Sequence, residues 1–289
     1  MPYPIKQIPI ESEKYHPLLK EIPVPPKTIY IRGDLPNNNE ILIAIVGTRK
    51  VTLEGRMTAK QIAKDLARSG IVVVSGLAMG IDTAAHEGAL AGGGKTLAVL
   101  ANGLDEVYPR SNFNLAQEIL KNKGALISEY PKGTPSYPNQ FLERNRIISG
   151  LCKATIIIEA PIHSGALVTA RHALDQGREI FITPGPARHP NYEGSHMLLR
   201  NGARLITRAA DVLEDLNLDK DLKASLLVNK TYDAETTTII NLLKEMKQGL
   251  TLDNIVEITK LQPHIVTQRI TFLMLDDIIE EKNNRYEIR

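Results

Sequence analysis

Two arginines, an asparagine and a phenylalanine lie within one six-residue segment, at Phe141, Arg144, Asn145 and Arg146. Guanidinium groups neutralise phosphates, an amide can hydrogen-bond a base edge, and an aromatic ring can stack on an unpaired base. Together these groups favour binding of a single nucleic-acid strand. A plainer alternative is a solvated helix start in which the arginines pair with Glu129 and Glu143.

Small and hydroxyl-bearing residues follow several apolar runs of the sequence, at Gly47, Thr48 and Arg49, at Ser75 and Gly76, and at Ser164 and Gly165. In an α/β fold, such turns place backbone N–H groups where an anion can approach. Glycine and serine also occur in turns for geometry alone, so one turn by itself predicts little. Arg110 and Lys132 fall in loops on the same predicted edge as Arg49, and this supply of cations favours an anion site.

The first long apolar run, residues 41–46, is continuous and ends at Gly47, which is typical of a strand buried on both faces. A helical pattern follows and stops at Gly70, and a second apolar run covers residues 71–74. This βαβ unit places Arg49 at the carboxyl end of a parallel strand, where such sheets bind ligands. Further apolar runs continue the alternation at residues 96–100, 125–128, 154–158, 179–183 and 203–206.

The predicted fold class is therefore α/β, a doubly wound, mainly parallel Rossmann-like sheet with a small C-terminal winged-helix-like domain. Residues 1–40 are rich in proline and predict an extended lead-in with little regular structure, apart from an edge strand near Tyr30. Residues 41–216 form the Rossmann-like domain, residues 217–233 a linker, and residues 234–289 three helices and a hairpin. Acids outnumber bases in this last segment, which favours an interaction or regulatory module over a DNA reader.

The composition of the 289-residue chain is ordinary for a globular protein, with a net charge of +2, 43% hydrophobic residues and 24% charged residues. Any basic surface must therefore be local. A single cysteine, Cys152, excludes an internal disulfide and a cysteine-based metal site. The sequence contains no signal-peptide pattern and no apolar run of membrane length, so we expect a cytoplasmic protein without a membrane partner.

Three patterns imitate known sites without meeting their requirements. Residues 92–96 resemble the end of a P-loop, but they lead into a strand, whereas a P-loop leads into a helix. The turn at residues 47–49 lacks the glycine pattern of a nicotinamide site, and no cofactor is expected. Asp82 and His86 lie four residues apart on a predicted helix without a third ligand, which favours a local hydrogen bond over a metal or an acid–base pair.

Five motifs are specific in combination, and they occupy residues 44–49, 75–82, 103–109, 144–150 and 159–165. On these motifs the chain resembles the bacterial DNA-processing protein A family (DprA, also called Smf). Leu142, Ala166 and His196 replace the family's usual proline, serine and asparagine. None of these departures removes an arginine.

The resemblance implies a Rossmann-like domain that binds and protects single-stranded DNA as a homodimer. It also implies help in loading the RecA recombinase during natural transformation of competent cells, without catalysis. In the family, the arginine of the Gly-Ser/Thr-Arg turn and a basic residue of the Tyr-Pro-x-x-Asn motif contact DNA, and these positions are Arg49 and Arg110 here. The partners expected are single-stranded DNA, RecA and a second copy of the chain.

The strongest alternative is an enzyme, a Rossmann-like nucleotide-binding protein of the nucleoside phosphoribohydrolase type. Proteins of that type carry a motif glutamate at the place of Thr169. Without that carboxylate, cleavage of an N-glycosidic bond lacks its general acid–base candidate. DNA binding is therefore preferred to the enzyme. It is also preferred to a third alternative, a purely structural interaction protein, because that would leave the arginine-rich edge unexplained.

Overall fold

The structure, a computed structural model, describes residues 3–218, 233–246, 249–275, 278–282 and 284–288. The chain divides into two compact units, Met1–Leu216 and Asn217–Arg289. The predicted linker, residues 217–233, lies almost wholly outside the described residues. Within the described ranges, no helix is both long and apolar enough to cross a membrane.

The larger unit is organised around a nine-stranded sheet. Its strands are β1 (Ile5–Pro9), β2 (Thr28–Gly33), β3 (Leu42–Val46), β4 (Val72–Ser75), β5 (Thr96–Val99), β6 (Ala125–Ser128), β7 (Ala154–Ile157), β8 (Glu179–Ile182) and β9 (Arg204–Leu205). Their order is β1-β2-β6-β5-β4-β3-β7-β8-β9. The strands from β3 to β9 are parallel to their neighbours, whereas β1 and β2 pair antiparallel to each other and β2 pairs antiparallel to β6.

Helices pack on both faces of this sheet. They are α1 (Pro17–Lys20), α2 (Leu53–Arg68), α3 (Ile81–Ala91), α4 (Phe113–Lys121), α5 (Pro138–Gly150), α6 (Gly165–Asp175), α7 (Glu193–Arg200) and α8 (Ala209–Asp215). On one face, Leu97 and Val99 of β5 share a core with residues of α5 and α6. On the other face, Ala98 of the same strand packs against α4. This alternation of side chains along β5 gives the layered architecture of a doubly wound fold.

Strand β3 is central to the sheet, and all five of its residues are buried. It pairs with β4 on one side and with β7 on the other, in a register that sets Val46 opposite Ile157. The chain order reverses between β3 and β7, and the loops that follow two such strands diverge and leave a crevice between them. The doubly wound, mainly parallel α/β fold predicted from the sequence is confirmed.

The proline-rich lead-in belongs to the larger unit. The strand predicted near Tyr30 is present as β2, but it is not the edge strand, and the prediction of little other regular structure for residues 1–40 is wrong, because β1 and α1 also lie there. β2 joins the sheet through antiparallel pairs with β6, such as Ile31 with Ile127, and β1 extends the sheet beyond it. Leu19 packs against the end of α5 at Gly150. Proline content misled because most of these prolines lie between the strands, and Pro9 lies on the edge strand β1, where proline is tolerated.

The described residues of the smaller unit form three helices and one antiparallel pair of strands, α9 (Ala234–Glu245), α10 (Leu252–Thr259), α11 (Pro263–Leu275), β10 (Ile279–Lys282) and β11 (Arg285–Ile288). Its core is built from side chains of all three helices, among them Ile239, Ile255 and Ile270. The elements follow one another in the predicted order, and their assignment as a winged-helix-like domain stays a prediction.

If the lead-in is an integral part of the core, trimming a buried side chain in it destabilises the larger unit. Ile29 in β2 is fully buried, and we expect Ile29→Ala to lower the free energy of unfolding by about 2–5 kcal/mol. Urea unfolding followed by circular dichroism measures this loss. Val24, also in the lead-in, is 63% exposed, and Val24→Ala serves as the control with a change within about 0.5 kcal/mol. Equal stability of both variants and the wild type would contradict the assignment.

Candidate nucleic-acid interface

A cleft of about 760 Å³ opens at the carboxyl ends of β3 and β7, at the switch point of the sheet. Eight of the twelve residues predicted to bind DNA line it, namely Gly47, Thr48, Arg49, Phe141, Arg144, Asn145, Ser164 and Gly165. Lys50, Asp82, Tyr108 and Glu193 also contribute to its walls. The loop after β3, the start of α5 and the start of α6 thus meet at one place, as the sequence predicted.

A cation and two aromatic rings form a row in this cleft. The guanidinium carbon of Arg49 lies 5.2 Å from the centroid of the Phe141 ring. That ring in turn lies 5.5 Å from the ring of Tyr108, at an interplanar angle of 56°. Arg49 is exposed, so its charge can reach a ligand in solvent while the half-buried Phe141 ring orients it. We call Arg49, Phe141 and Tyr108 the arginine–aromatic row.

Arg144 occupies the floor of the cleft, and only 4% of it is exposed. Its Nη1 donates to the carbonyl of Gly76 at 2.7 Å and to the carbonyl of Val99, and its Nε donates to Asn145 Oδ1 at 3.2 Å. Burial lowers the pKa of Arg144 to about 10, an effect that the nearby carboxylate of Asp82 opposes and the charge of Arg49 reinforces. Arg144 is therefore a fixed charge that cannot swing out to follow a phosphate.

Asn145 and Ser164 connect this floor to the start of α6. Nδ2 of Asn145 donates to the carbonyl of Gly165 at 3.2 Å, while Oδ1 of the same amide accepts from Arg144. Ser164 caps α6, because its Oγ accepts from the N–H of Ala166 at 3.2 Å. Around Gly165 there is open space, since an added Cβ would meet only Leu142, at 3.9 Å. A ligand can approach the backbone here.

Ser75 and Gly76 do not line the cleft, contrary to the prediction that they offer donors to a ligand. Ser75 Oγ donates to the carbonyl of Ile45 at 2.7 Å, and the N–H of Gly76 donates to Asp82 Oδ2 at 3.1 Å. Both donors are used inside the fold. Gly76 has a packing role instead, because a Cβ at this position would collide with the guanidinium of Arg144.

Arg146 also lies away from the cleft, although it is only two residues from Arg144. Its Nη1 and Nη2 donate to the two carboxylate oxygens of Glu129 at 2.9 and 2.6 Å, and its Nε donates to the carbonyl of Val24 at 3.1 Å. Both side chains of this ion pair are 16% exposed. The pairing with Glu129 is the plainer alternative that the sequence left open, and it corrects the assignment of Arg146 to a phosphate.

Arg110 is exposed in a short 3-10 helix, Arg110–Asn112, two residues after Tyr108 of the arginine–aromatic row. It does not line the cleft itself. Asn112 anchors this segment, because its Nδ2 donates to the carbonyl of Leu77 at 2.8 Å. Arg110 therefore extends the positive charge beyond the cleft on the side of Tyr108.

Residues 92–95 are a plain connection from α3 to β5, which begins at Thr96, so this segment is a loop that leads into a strand, as predicted. Asp82 and His86 bond to other partners, so the predicted local hydrogen bond is corrected. Asp82 accepts from backbone N–H groups, whereas His86 Nδ1 lies 2.7 Å from Thr96 Oγ1. Thr96 donates its own hydroxyl proton to the carbonyl of Val73, so Nδ1 of His86 must carry the proton of the ring.

Sequence reasoning missed Glu159 as a residue with a role at this site. It follows β7, is fully buried, and contacts the segments on both sides of the switch point. The sequence contained a signal, because Glu159 directly follows the apolar run of residues 154–158, which predicts a buried strand. An acid buried at the end of such a strand must be hydrogen-bonded.

A profile of the family described as DNA recombination-mediator protein A matches residues 6–217. The chain belongs to this family. It is 43% identical to protein Smf of Escherichia coli K12 over 209 residues, which cover 72% of this chain and 56% of the E. coli protein. It is 40% identical to DNA processing protein DprA of Bacillus subtilis 168 over 213 residues, which cover 73% of this chain and 71% of the relative.

Solved structures of this family have the same fold. DNA processing protein A of Streptococcus pneumoniae matches with a TM-score of 0.69 at 37% identity, over 74% of each chain. The protein of the same name from Helicobacter pylori matches with a TM-score of 0.67 at 29% identity, over 75% of this chain and 97% of that one. The family predicted from the sequence motifs is thus confirmed.

The contacts of Arg146 predict a role in stability. We expect Arg146→Ala to lower the free energy of unfolding by about 2–4 kcal/mol, because Glu129 loses a bidentate partner in a largely shielded place. Arg49→Ala removes the same charge from an exposed position and should change stability by less than about 0.5 kcal/mol. Urea unfolding of the two variants compares them directly. A stable Arg146→Ala protein would return Arg146 to the set of candidate ligand residues.

The environment of His86 predicts a loss of stability in acid. Burial, and to a lesser degree the charge of Arg144, lower the pKa of His86 from 6.5 to about 3. Between pH 6.5 and about pH 3, His86 is protonated in the unfolded chain but not in the folded chain. The contribution of His86 to the free energy of unfolding is therefore complete above pH 6.5 and is lost as the pH falls towards 3. The contribution of His86 to this slope reaches at most about 1.4 kcal/mol per pH unit.

Urea unfolding across this pH range tests the assignment, with His86→Gln as the variant. We expect His86→Gln to flatten the pH dependence, whereas His163→Gln, at an exposed position, keeps the wild-type slope. Identical slopes for all three proteins would show that His86 is protonated without cost in the fold.

Proposed function

We propose that the cleft binds a single strand of DNA, and the arginine–aromatic row is the observation that carries this proposal. The ring of Phe141 lies close to a guanidinium and to a second ring, so an exposed cation lies beside aromatic surface. A nucleic-acid strand presents a charged phosphate next to each flat base, so a cation beside an aromatic ring can bind both groups. A duplex hides its base faces, so rings that stack on bases favour a single strand.

The charges of the site fit the same ligand. Arg49 and Lys50 are exposed at the cleft, Arg110 continues the charge beside Tyr108, and the fixed charge of Arg144 lies beneath them. The three exposed cations, Arg49, Lys50 and Arg110, would contact phosphates directly. Arg144 would attract them through its electric field, since its hydrogen bonds hold it to the strand ends.

The rings of the site would contact the bases. Phe141 and Tyr108 would stack on them, and the path of the DNA strand would be lined by Asn145, Ser164 and Gly165.

The comparisons support this ligand and a process. The H. pylori protein was solved in a study of its single-stranded DNA binding mode, and the matching family is described as a recombination mediator. We propose that this chain likewise protects single-stranded DNA and assists loading of RecA in recombination and natural transformation. We propose further that it acts in the cytoplasm as a homodimer and without catalysis.

The enzyme alternative is disfavoured by the residue at its critical position. Thr169 is 1% exposed, and its hydroxyl donates to the carbonyl of Gly165 at 3.4 Å. A threonine that is bonded within its own helix cannot exchange protons with a sugar at the pH where a carboxylate does.

For the smaller unit we propose a winged-helix-like module that contacts protein. Two of its cations are occupied by acids of the same unit: Arg269 bonds Asp233 at 2.8 Å and Glu235 at 3.0 Å. Lys282 bonds Glu280 at 2.6 Å and Glu287 at 2.7 Å. Neutralised cations contribute little to binding phosphates.

The proposed ligand is tested by fluorescence anisotropy with labelled oligo-dT and a matched duplex, over a series of salt concentrations. We expect the wild type to prefer the single strand and Arg49→Ala to bind it about tenfold more weakly. The slope of log affinity against log salt is negative, and its magnitude should decrease by about 0.7, the value for one phosphate contact on a single strand.

Arg68→Ala is the matched control for this measurement. Arg68 is an exposed arginine in the last turn of α2, at the sheet edge opposite the cleft, so its removal makes the same change in net charge. We expect its affinity to stay within about twofold of the wild type. Equal losses in Arg49→Ala and Arg68→Ala would mean that net charge, and not the cleft, binds the DNA.

A further inference from the structure

The side chain of Glu159 connects the loop after β3 to the segment before α7, two parts of the chain that lie on either side of the switch point. Its carboxylate accepts hydrogen bonds from the N–H of Thr52 at 3.2 Å, from the hydroxyl of Thr52, from Nδ2 of Asn191 at 2.7 Å and from the hydroxyl of Tyr192 at 3.1 Å. All four groups are donors. One buried carboxylate therefore ties the loop after β3 to the segment that precedes α7.

The main chain of Glu159 binds the first residue of the same loop, which comprises residues 48–52. Its carbonyl accepts from the N–H of Thr48 at 2.8 Å. Residues 48–52 are thus fixed by one residue at both ends, and Arg49 lies within this span. Nδ2 of Asn191 bonds the carbonyl of Lys50 at 2.8 Å, which adds a third attachment inside it.

The fold makes room for this carboxylate next to the start of α2. Thr52 caps the helix by accepting from the N–H of Gly55 at 2.9 Å, and it donates to Glu159 at the same time. Gly55 in the first turn permits this contact, because a Cβ there would collide with the carboxylate. The N-terminal end of a helix favours a nearby negative charge, so the acid is held by the helix as well as by its four donors.

We infer that Glu159 is a positioning residue for the cleft: it holds the loop of residues 48–52 so that Arg49 stays beside Phe141 and faces the ligand. Glu159 is fully buried and does not line the cleft, so it acts through the loop and not by touching DNA. This inference rests on the proposed function for its consequence in binding. Its structural content, the fixing of the loop, stands apart from the identity of the ligand.

A double-mutant cycle with Glu159→Gln and Arg49→Ala separates positioning from general damage to the fold. Glutamine keeps the shape of the side chain, but its NH2 group faces donors where an acceptor is needed. In the wild-type background we expect Glu159→Gln to weaken oligo-dT binding about five- to tenfold and to reduce the magnitude of the salt slope towards that of Arg49→Ala. In the Arg49→Ala background we expect less than about a twofold further loss, because the charge that Glu159 positions is already gone.

Tyr192→Phe is the milder variant, since it removes only one of the four donors. We expect about a fourfold loss of affinity in the wild-type background and less than about a twofold loss in the Arg49→Ala background. This variant decides the question if Glu159→Gln fails to fold by circular dichroism. Equal losses in both backgrounds, or no loss from either variant with an intact spectrum, would overturn the inference.

Hydrogen exchange of the full-length protein gives a readout that needs no DNA. Glu159→Gln should speed exchange of the amides of residues 48–52 while the amides of β3 keep their protection. Unchanged exchange in this loop would overturn the positioning role. A wild type that does not bind oligo-dT would instead overturn the proposed function, and the exchange experiment would still decide what Glu159 does.

Discussion

The buried guanidinium of Arg144 satisfies carbonyl groups at the ends of two central strands, and the cleft depends on this interaction. The carbonyls of Gly76 and Val99 both accept from its Nη1. Unpaired carbonyls in a dry place are costly, and so is an unpaired guanidinium, so each removes the penalty of the other. The acid of Asp82 and the missing side chain of Gly76 make this position possible. As a result, the floor of the cleft carries the positive charge of Arg144 in a fixed position.

The sheet could be predicted because its evidence is local. The run of residues 42–46 is apolar without a break, and a strand with that pattern is covered on both faces. In the lead-in the signal was weaker and predicted only an edge strand near Tyr30. β2 is held by pairs with β6, more than ninety residues further along the chain, and the prolines that precede and follow it gave the segment the composition of a loop. Composition describes a segment, whereas a strand near the edge of a sheet is defined by the strands with which it pairs.

The candidate site was predictable as a set of loops but not as a set of side chains. Arg144 and Arg146 were grouped because they are close in sequence, yet residues two apart on a helix point about 200° away from each other. One therefore enters the cleft floor, and the other reaches Glu129 and Val24. Ser75 and Gly76 were likewise assigned to a ligand, but Ile45 and Asp82 engage them from other elements. Such competition between partners distant in sequence cannot be read from spacing.

Helix α5 carries both arginines, and this gives it an unusual constraint on length. One face bonds the ends of β4 and β5, and the opposite face bonds the end of β6 and the lead-in. Inserting or deleting one residue between Pro138 and Arg144 would turn the rest of the helix by about 100° and withdraw both guanidinium groups from their acceptors. A change of length inside this segment would therefore break both sets of bonds at once, whereas an insertion before Pro138 or after Gly150 leaves the helix in register.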